Sequence, residues 1–123
     1  MSYRTEIKEH YSLLEINDFK AFRKTPDPEN ALRDILAEKK KPVIVLFNDD
    51  ISAGDHFFQW IDNMSAVFYE NALPWVLIPP FSDYNALEEK GIQFAPTFQE
   101  AVDMAFMLKL EQDFMDEEDD DSS

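Results

Sequence analysis

Polar and apolar residues alternate with a period of two at the start of the chain, where Tyr3, Thr5 and Ile7 stand against Arg4, Glu6 and Lys8. That period predicts a strand with one wet face, as at a sheet edge. After a polar break at Glu9 and His10, the segment from Tyr11 to Ile16 is more apolar and is expected to pair back on the first as an antiparallel hairpin. His10 falls in the turn and reads as an exposed turn residue. From Asn17 to Pro26 the pattern is irregular, although Phe19 and Phe22 are expected to tuck onto the body. Asp27 followed by Pro28 predicts a helix start, because a first-turn amide has no intrahelical acceptor for proline to forfeit. Ala31, Leu32, Ile35 and Leu36 give this helix an apolar stripe. Lys39, Lys40 and Lys41 suit the negative end of its dipole, and Pro42 stops it.

Two segments do not alternate. Val43 to Phe47 and Trp75 to Ile78 are apolar throughout, which fits strands buried on both faces. The first runs through Asn48, Asp49 and Asp50 into a helix start, with Ser52 as the expected N-cap and Asp55 as the capping-box acid three residues later. Phe57, Trp60, Ile61, Met64, Val67 and Phe68 then recur at helical spacing. Pro79 and Pro80 end the second strand. Asn85 to Lys90 predicts a short helix before a left-handed cap at Gly91, and Ile92 to Phe94 a short further strand. Pro96 to Glu100 forms a capping box for a last helix, with Phe98, Ala101, Val102, Ala105 and Leu108 on one face and Met104 and Met107 broadening it. The predicted class is α/β: one domain over residues 1–110, a mixed sheet of an N-terminal hairpin and parallel βαβ strands, covered by helices. Its parallel crossovers should be right-handed.

At 123 residues the chain is long enough to bury one core. It has no cysteine, which removes disulfides and thiolate chemistry and fits a reducing compartment, so a cytoplasmic location is expected. The first residues do not resemble a signal peptide, and no window approaches the roughly 18 consecutive apolar residues that span a bilayer. The net charge of −15 is unevenly placed: eight of the 26 acids and none of the 11 bases lie between Glu111 and Ser123, leaving residues 1–110 with 18 acids against 11 bases, about −7. The acidic segment 111–123 cannot bury enough apolar surface to offset chain entropy, so disorder is expected there. A body this acidic repels phosphate backbones and anionic lipid, so neither nucleic acid nor membrane is an expected partner.

Asp49, Asp50, Asp55 and His56 cluster at the carboxyl end of a buried strand, where open α/β sheets place ligands. One reading is a Mg²⁺-dependent phospho-receiver or phosphoryl-transfer domain using Asp49 or Asp50, since hard cations take oxygen ligands. The other is a solvated loop followed by a helix start, where acids are favourable anyway. The first strand carries no acidic pair at its end, and Pro79 and Pro80 occupy the place of a receiver's lysine. His56 lies four residues after Ser52, but no nucleophile elbow surrounds them. Two glycines, Gly54 and Gly91, make no phosphate cradle. No catalytic residue, metal or cofactor is therefore expected. Trp60, Phe68 and Trp75 read as core, and an aromatic interior that binds a small ligand is a further alternative. Phe57 and Phe58 are adjacent, so a helix cannot bury both equally, and one is expected to be a contact residue.

Three features together resemble a STAS domain, the module of sulfate transporters and bacterial anti-sigma-factor antagonists. A hairpin and helix precede an apolar strand; that strand ends in Asp50-Ile51-Ser52-Ala53-Gly54, leading straight into a helix; and Gly91-Ile92-Gln93-Phe94-Ala95-Pro96-Thr97-Phe98-Gln99-Glu100-Ala101 is similar to the family's closing strand and threonine-capped helix. The resemblance implies a non-enzymatic protein–protein interaction and regulatory module. In the family the loop reads Asp-Ser-Ser-Gly, and the serine before the glycine is phosphorylated; here Ala53 holds that position and Ile51 that of the acid. The usual phosphoserine switch is therefore not expected, and Ser52 is left as a candidate phosphoacceptor. Partner contacts are expected from Asp49, Asp50, Ser52, Ala53, Asp55 and Phe58, with a regulatory protein as partner.

Overall fold

The computed structural model describes residues 2–24, 32–38, 41–51 and 54–121, with side chains through Phe114. Four strands make one sheet in the order β1 (Tyr3–Ile7), β2 (Ser12–Ile16), β3 (Val43–Phe47) and β4 (Trp75–Ile78). β1 and β2 are antiparallel, and β2, β3 and β4 run parallel. The two all-apolar segments thus lie side by side, as their composition predicts. Leu14, Val45 and Leu77 are in register across one face, and Leu13, Ile44 and Val76 across the other. Because successive side chains of a strand point to opposite faces, these two rows seed two separate cores.

The larger core lies between the Leu14 face and four helices: α1 (Phe19–Phe22), α2 (Arg33–Ala37), α3 (Asp55–Glu70) and α4 (Asn85–Glu89). α3 buries Phe57, Trp60, Ile61, Met64 and Phe68 along the stripe that its sequence spacing predicts. The opposite face carries α5 (Phe98–Asp121), whose Ala101 and Ala105 are buried against Leu13, Ile44, Val76 and Ile78. Near β1 this face is charged rather than apolar. Arg4 pairs with Glu15 at 3.1 Å and with Glu6 at 3.2 Å, and Lys8 reaches Glu6 at 3.1 Å. The Lys8 hydrogen bond, followed by the Arg4 charge, holds the Glu6 carboxyl below its ordinary range. The wet face of β1 is therefore an ion-pair ladder at the sheet edge, of the kind that deters edge-to-edge pairing.

Several elements differ from expectation. Residues 19–22 form a helical turn, with Asp18 as N-cap accepting from the Ala21 N–H at 3.1 Å; a single turn is too short to display a period. Phe19 and Phe22 are both buried, as expected. The helix expected from Asp27 is seen only as α2, and its start, with Lys39 and Lys40, lies outside the described residues. The segment 92–94 contributes one parallel bridge, Phe94 to Leu77, rather than a strand. Thr97 caps α5 as predicted, accepting from the Glu100 N–H at 3.2 Å, but Phe98 stays 40% exposed beside Tyr11. The helical backbone is described through Asp121. No described helix is long and apolar enough to cross a membrane.

α3 and α4 end in the same way. After α3, the Leu73 N–H bonds the Phe68 carbonyl at 2.9 Å and the Ala72 N–H bonds that of Tyr69 at 3.0 Å; after α4, Ile92 reaches Leu87 and Gly91 reaches Glu88, both at 3.1 Å. Both are Schellman caps that require a left-handed residue, here Ala72 (φ 56°) and Gly91 (φ 71°). Only the second position has the residue type that adopts this conformation without strain. Gly91→Ala is expected to cost about 1–2 kcal/mol, whereas Ala72→Gly should be neutral or stabilise by up to about 1 kcal/mol. Urea denaturation of the two variants checks the opposite signs.

Candidate functional site

β2 and β3 end side by side at the same edge of the sheet, and both chains leave it through polar residues. The Asn48 N–H continues the ladder to the Ile16 carbonyl at 2.9 Å, and the Asn48 side-chain amide donates to Asn17 Oδ1 at 2.6 Å. One residue further, Asp49 Oδ2 accepts from the Phe19 N–H at 3.0 Å. That carboxylate thereby satisfies an amide at the first turn of α1, which the short helix cannot bond internally. Asp49 Oδ1 is buried with no hydrogen-bond partner among the described residues.

Beneath this edge lies a set of rings in edge-to-face and tilted contact. Phe19 meets Phe47 and Phe57 at 5.8 Å and Trp60 at 5.4 Å, and Phe47 meets Phe57 at 5.5 Å and Trp60 at 5.6 Å. Phe58 extends the set toward solvent, against Phe57 at 5.6 Å and Phe81 at 6.3 Å, with Lys90 Nζ 5.6 Å from its ring centre. Such ring pairs each add roughly 0.5–1.5 kcal/mol beyond the area they bury, so the edge stands on a stiff base.

The expected contact residues are therefore placed unequally. Asp50 and Asp55 are exposed on either side of the junction, and His56 follows, also exposed. Asp49 is half-buried and turned to α1, and Phe58 is half-buried within the ring set, so both belong to the platform. Phe57, its neighbour, is fully buried. Ser52 and Ala53 lie outside the described residues. α3 opens at Asp55 with Gly54 as its N-cap in extended conformation and no side-chain cap, which corrects the expected Ser52 cap and puts Asp55 in the first position rather than the third. Trp60 and Phe68 are buried and Trp75 is half-buried, as a core reading predicts.

A shallow cleft of about 280 Å³ runs along the junction, lined by Phe19, Lys20, Arg23, Asp49, Asp50, Ile51 and His56. Lys20 and Arg23 are residues that sequence reasoning passed over, because they lie in the aperiodic segment 17–26. They share this cleft with Asp50 because the Phe19–Asp49 bond sets α1 beside the end of β3. Among the described residues, no three His, Asp or Glu side chains converge as they would around a metal ion. The helices following β2 and β3 pack on the same face of the sheet, so the adjoining loops do not diverge to open a crevice between the strands. No protein-family model, curated protein or solved structure matches the chain.

The role of Asp49 as a hydrogen-bond anchor predicts unequal effects of two substitutions. Asp49→Ala leaves the Phe19 amide unpaired and is expected to cost about 1–3 kcal/mol. Asp49→Asn keeps an acceptor of the same shape and removes a partly buried charge, so its loss should stay below about 1 kcal/mol in the same urea titration.

Proposed function

We propose that this chain is a non-enzymatic protein–protein interaction module of the STAS type, docking a regulatory protein through the β3–α3 junction. The observation that carries the reading is the exposure of Asp50, just after β3, and of Asp55, at the start of α3, on either side of the Asp49–Phe19 bond and the ring set. Exposed acids beside an anchored carboxylate select a partner surface of opposite sign. The hairpin-led sheet, the apolar strand running into a long helix and the Thr97-capped final helix support the family reading by their order. With Ala53 where that family carries its phosphorylated serine, the module is constitutive, and any phosphate would have to sit on Ser52. There it would lie two and three positions along the chain from Asp50 and Asp55, and the added like charge would work against a partner held by those acids.

The test is a photo-crosslinking residue placed at Ile51, with capture compared between the wild-type background and an Asp50→Lys, Asp55→Lys background. One specific adduct, lost on charge reversal while the melting temperature is kept, is the expected result. An unchanged adduct removes the junction as the docking surface. A Mg²⁺-dependent change in tryptophan fluorescence that Asp50→Asn abolishes would instead favour phosphoryl chemistry at the Lys20–Arg23–Asp50 cleft.

A further inference from the structure

α5 is apolar on two opposite sides. At about 100° per residue, Ala101, Ala105 and Leu108 fall on the side packed against the sheet, and Gln112 on that side donates to the Ala72 carbonyl at 3.2 Å. Phe106, Leu110 and Phe114 recur every fourth residue on the far side, with Met107 beside them. They are 48%, 53%, 63% and, for Met107, 62% exposed. Single apolar side chains on a surface are ordinary, but four large ones in a continuous stripe, two of them aromatic, mark a contact surface. Of its residues, only Phe106 has a described ring neighbour, His10 at 5.8 Å.

The charges on the same helix narrow the occupant. From Phe98 to Asp121, α5 carries ten acids and one base, and that base, Lys109, is paired with Asp113 at 3.5 Å. Asp103 lies in line with the stripe, Glu111 and Asp113 are exposed near it, and six consecutive acids follow from Asp116. A second copy would set this helix against an equally acidic one, and an anionic membrane would be repelled in the same way. A helix with large apolar residues at every third or fourth position and Lys or Arg on its borders satisfies both the stripe and the field around it. We infer that the outward face of α5 docks a basic amphipathic helix of a partner protein, at a surface separate from the β3–α3 junction.

The full chain is titrated against a fluorescein-labelled amphipathic peptide of leucine and lysine, and against its leucine and glutamate counterpart, by fluorescence anisotropy. The Leu110→Gln, Phe114→Ser double variant changes two exposed positions, so its circular dichroism and melting temperature should match the parent. Expected are saturable binding of the lysine peptide, weakening with salt, a loss of roughly tenfold or more in the double variant, and no binding of the glutamate peptide. Equal binding by the double variant would mean that the acids attract the peptide without the stripe, and overturns the proposal. So does an equally large loss in the Asp50→Lys, Asp55→Lys variant with the stripe intact, which would move the site to the junction. A dimer in sedimentation that the double variant dissolves assigns the stripe to a second copy, and binding to phosphatidylglycerol vesicles that it abolishes assigns it to lipid; either overturns the proposal.

Discussion

Burial of β3 on both faces is the constraint from which the rest of the structure follows. A strand with Val, Ile, Leu and Phe on both faces must be paired along both edges and covered above and below, because its backbone polar groups and its side chains are all withdrawn from water. β2 and β4 supply the edges, α1 to α4 one cover, and α5 the other. The hairpin closes the β2 side with a strand that is half wet, so the sheet ends there in charge rather than in an open apolar edge.

The same arrangement builds the β3–α3 junction. Parallel pairing in register brings Asn17 and Asn48 together at the end of β2 and β3, and the next residue along, Asp49, reaches the first amide of α1. Two exposed acids near that edge, Asp50 and Asp55, thereby lie beside Phe19, Phe47, Phe57 and Trp60. Packing and presentation are one construction here: loosening the ring set would change the position of these acids as well as the stability of the core.

α5 shows a different economy. The body uses the small residues Ala101 and Ala105 for close approach to the sheet, leaving the larger Phe106, Leu110 and Phe114 on the side that the body does not cover. Periodicity picks out the packed side, since Ala101, Val102, Ala105 and Leu108 all join the sheet-side core, but it leaves Phe98 and Met107 on the wrong side of the boundary because a helix apolar on opposite sides has no strong amphipathic direction. The acids that follow keep such a helix in water while biasing what can approach it.

Much of the fold was legible because burial leaves a periodic mark. Alternation at 3–8, the unbroken apolar runs at 43–47 and 75–78, the α3 stripe and the Thr97 cap are each local statements of how a residue's side chain meets water or backbone. The α1 turn was not legible, since its first amide is satisfied by an aspartate 30 positions away. Asp49 and Phe58, read from sequence as contact residues, are half-buried against α1 and the ring set, because exposure depends on what packs from elsewhere in the chain. The same holds for Phe98 and for the outer side of α5. Sequence by itself determined the four sheet strands, the long α3 and α5 helices, the acidity of any surface they present and the Thr97 cap, because these depend on neighbours within a few positions. Only the tertiary structure decided which acids stand free, which rings support them and which side of the last helix faces water, because those outcomes are set by contacts between segments that the chain order keeps far apart.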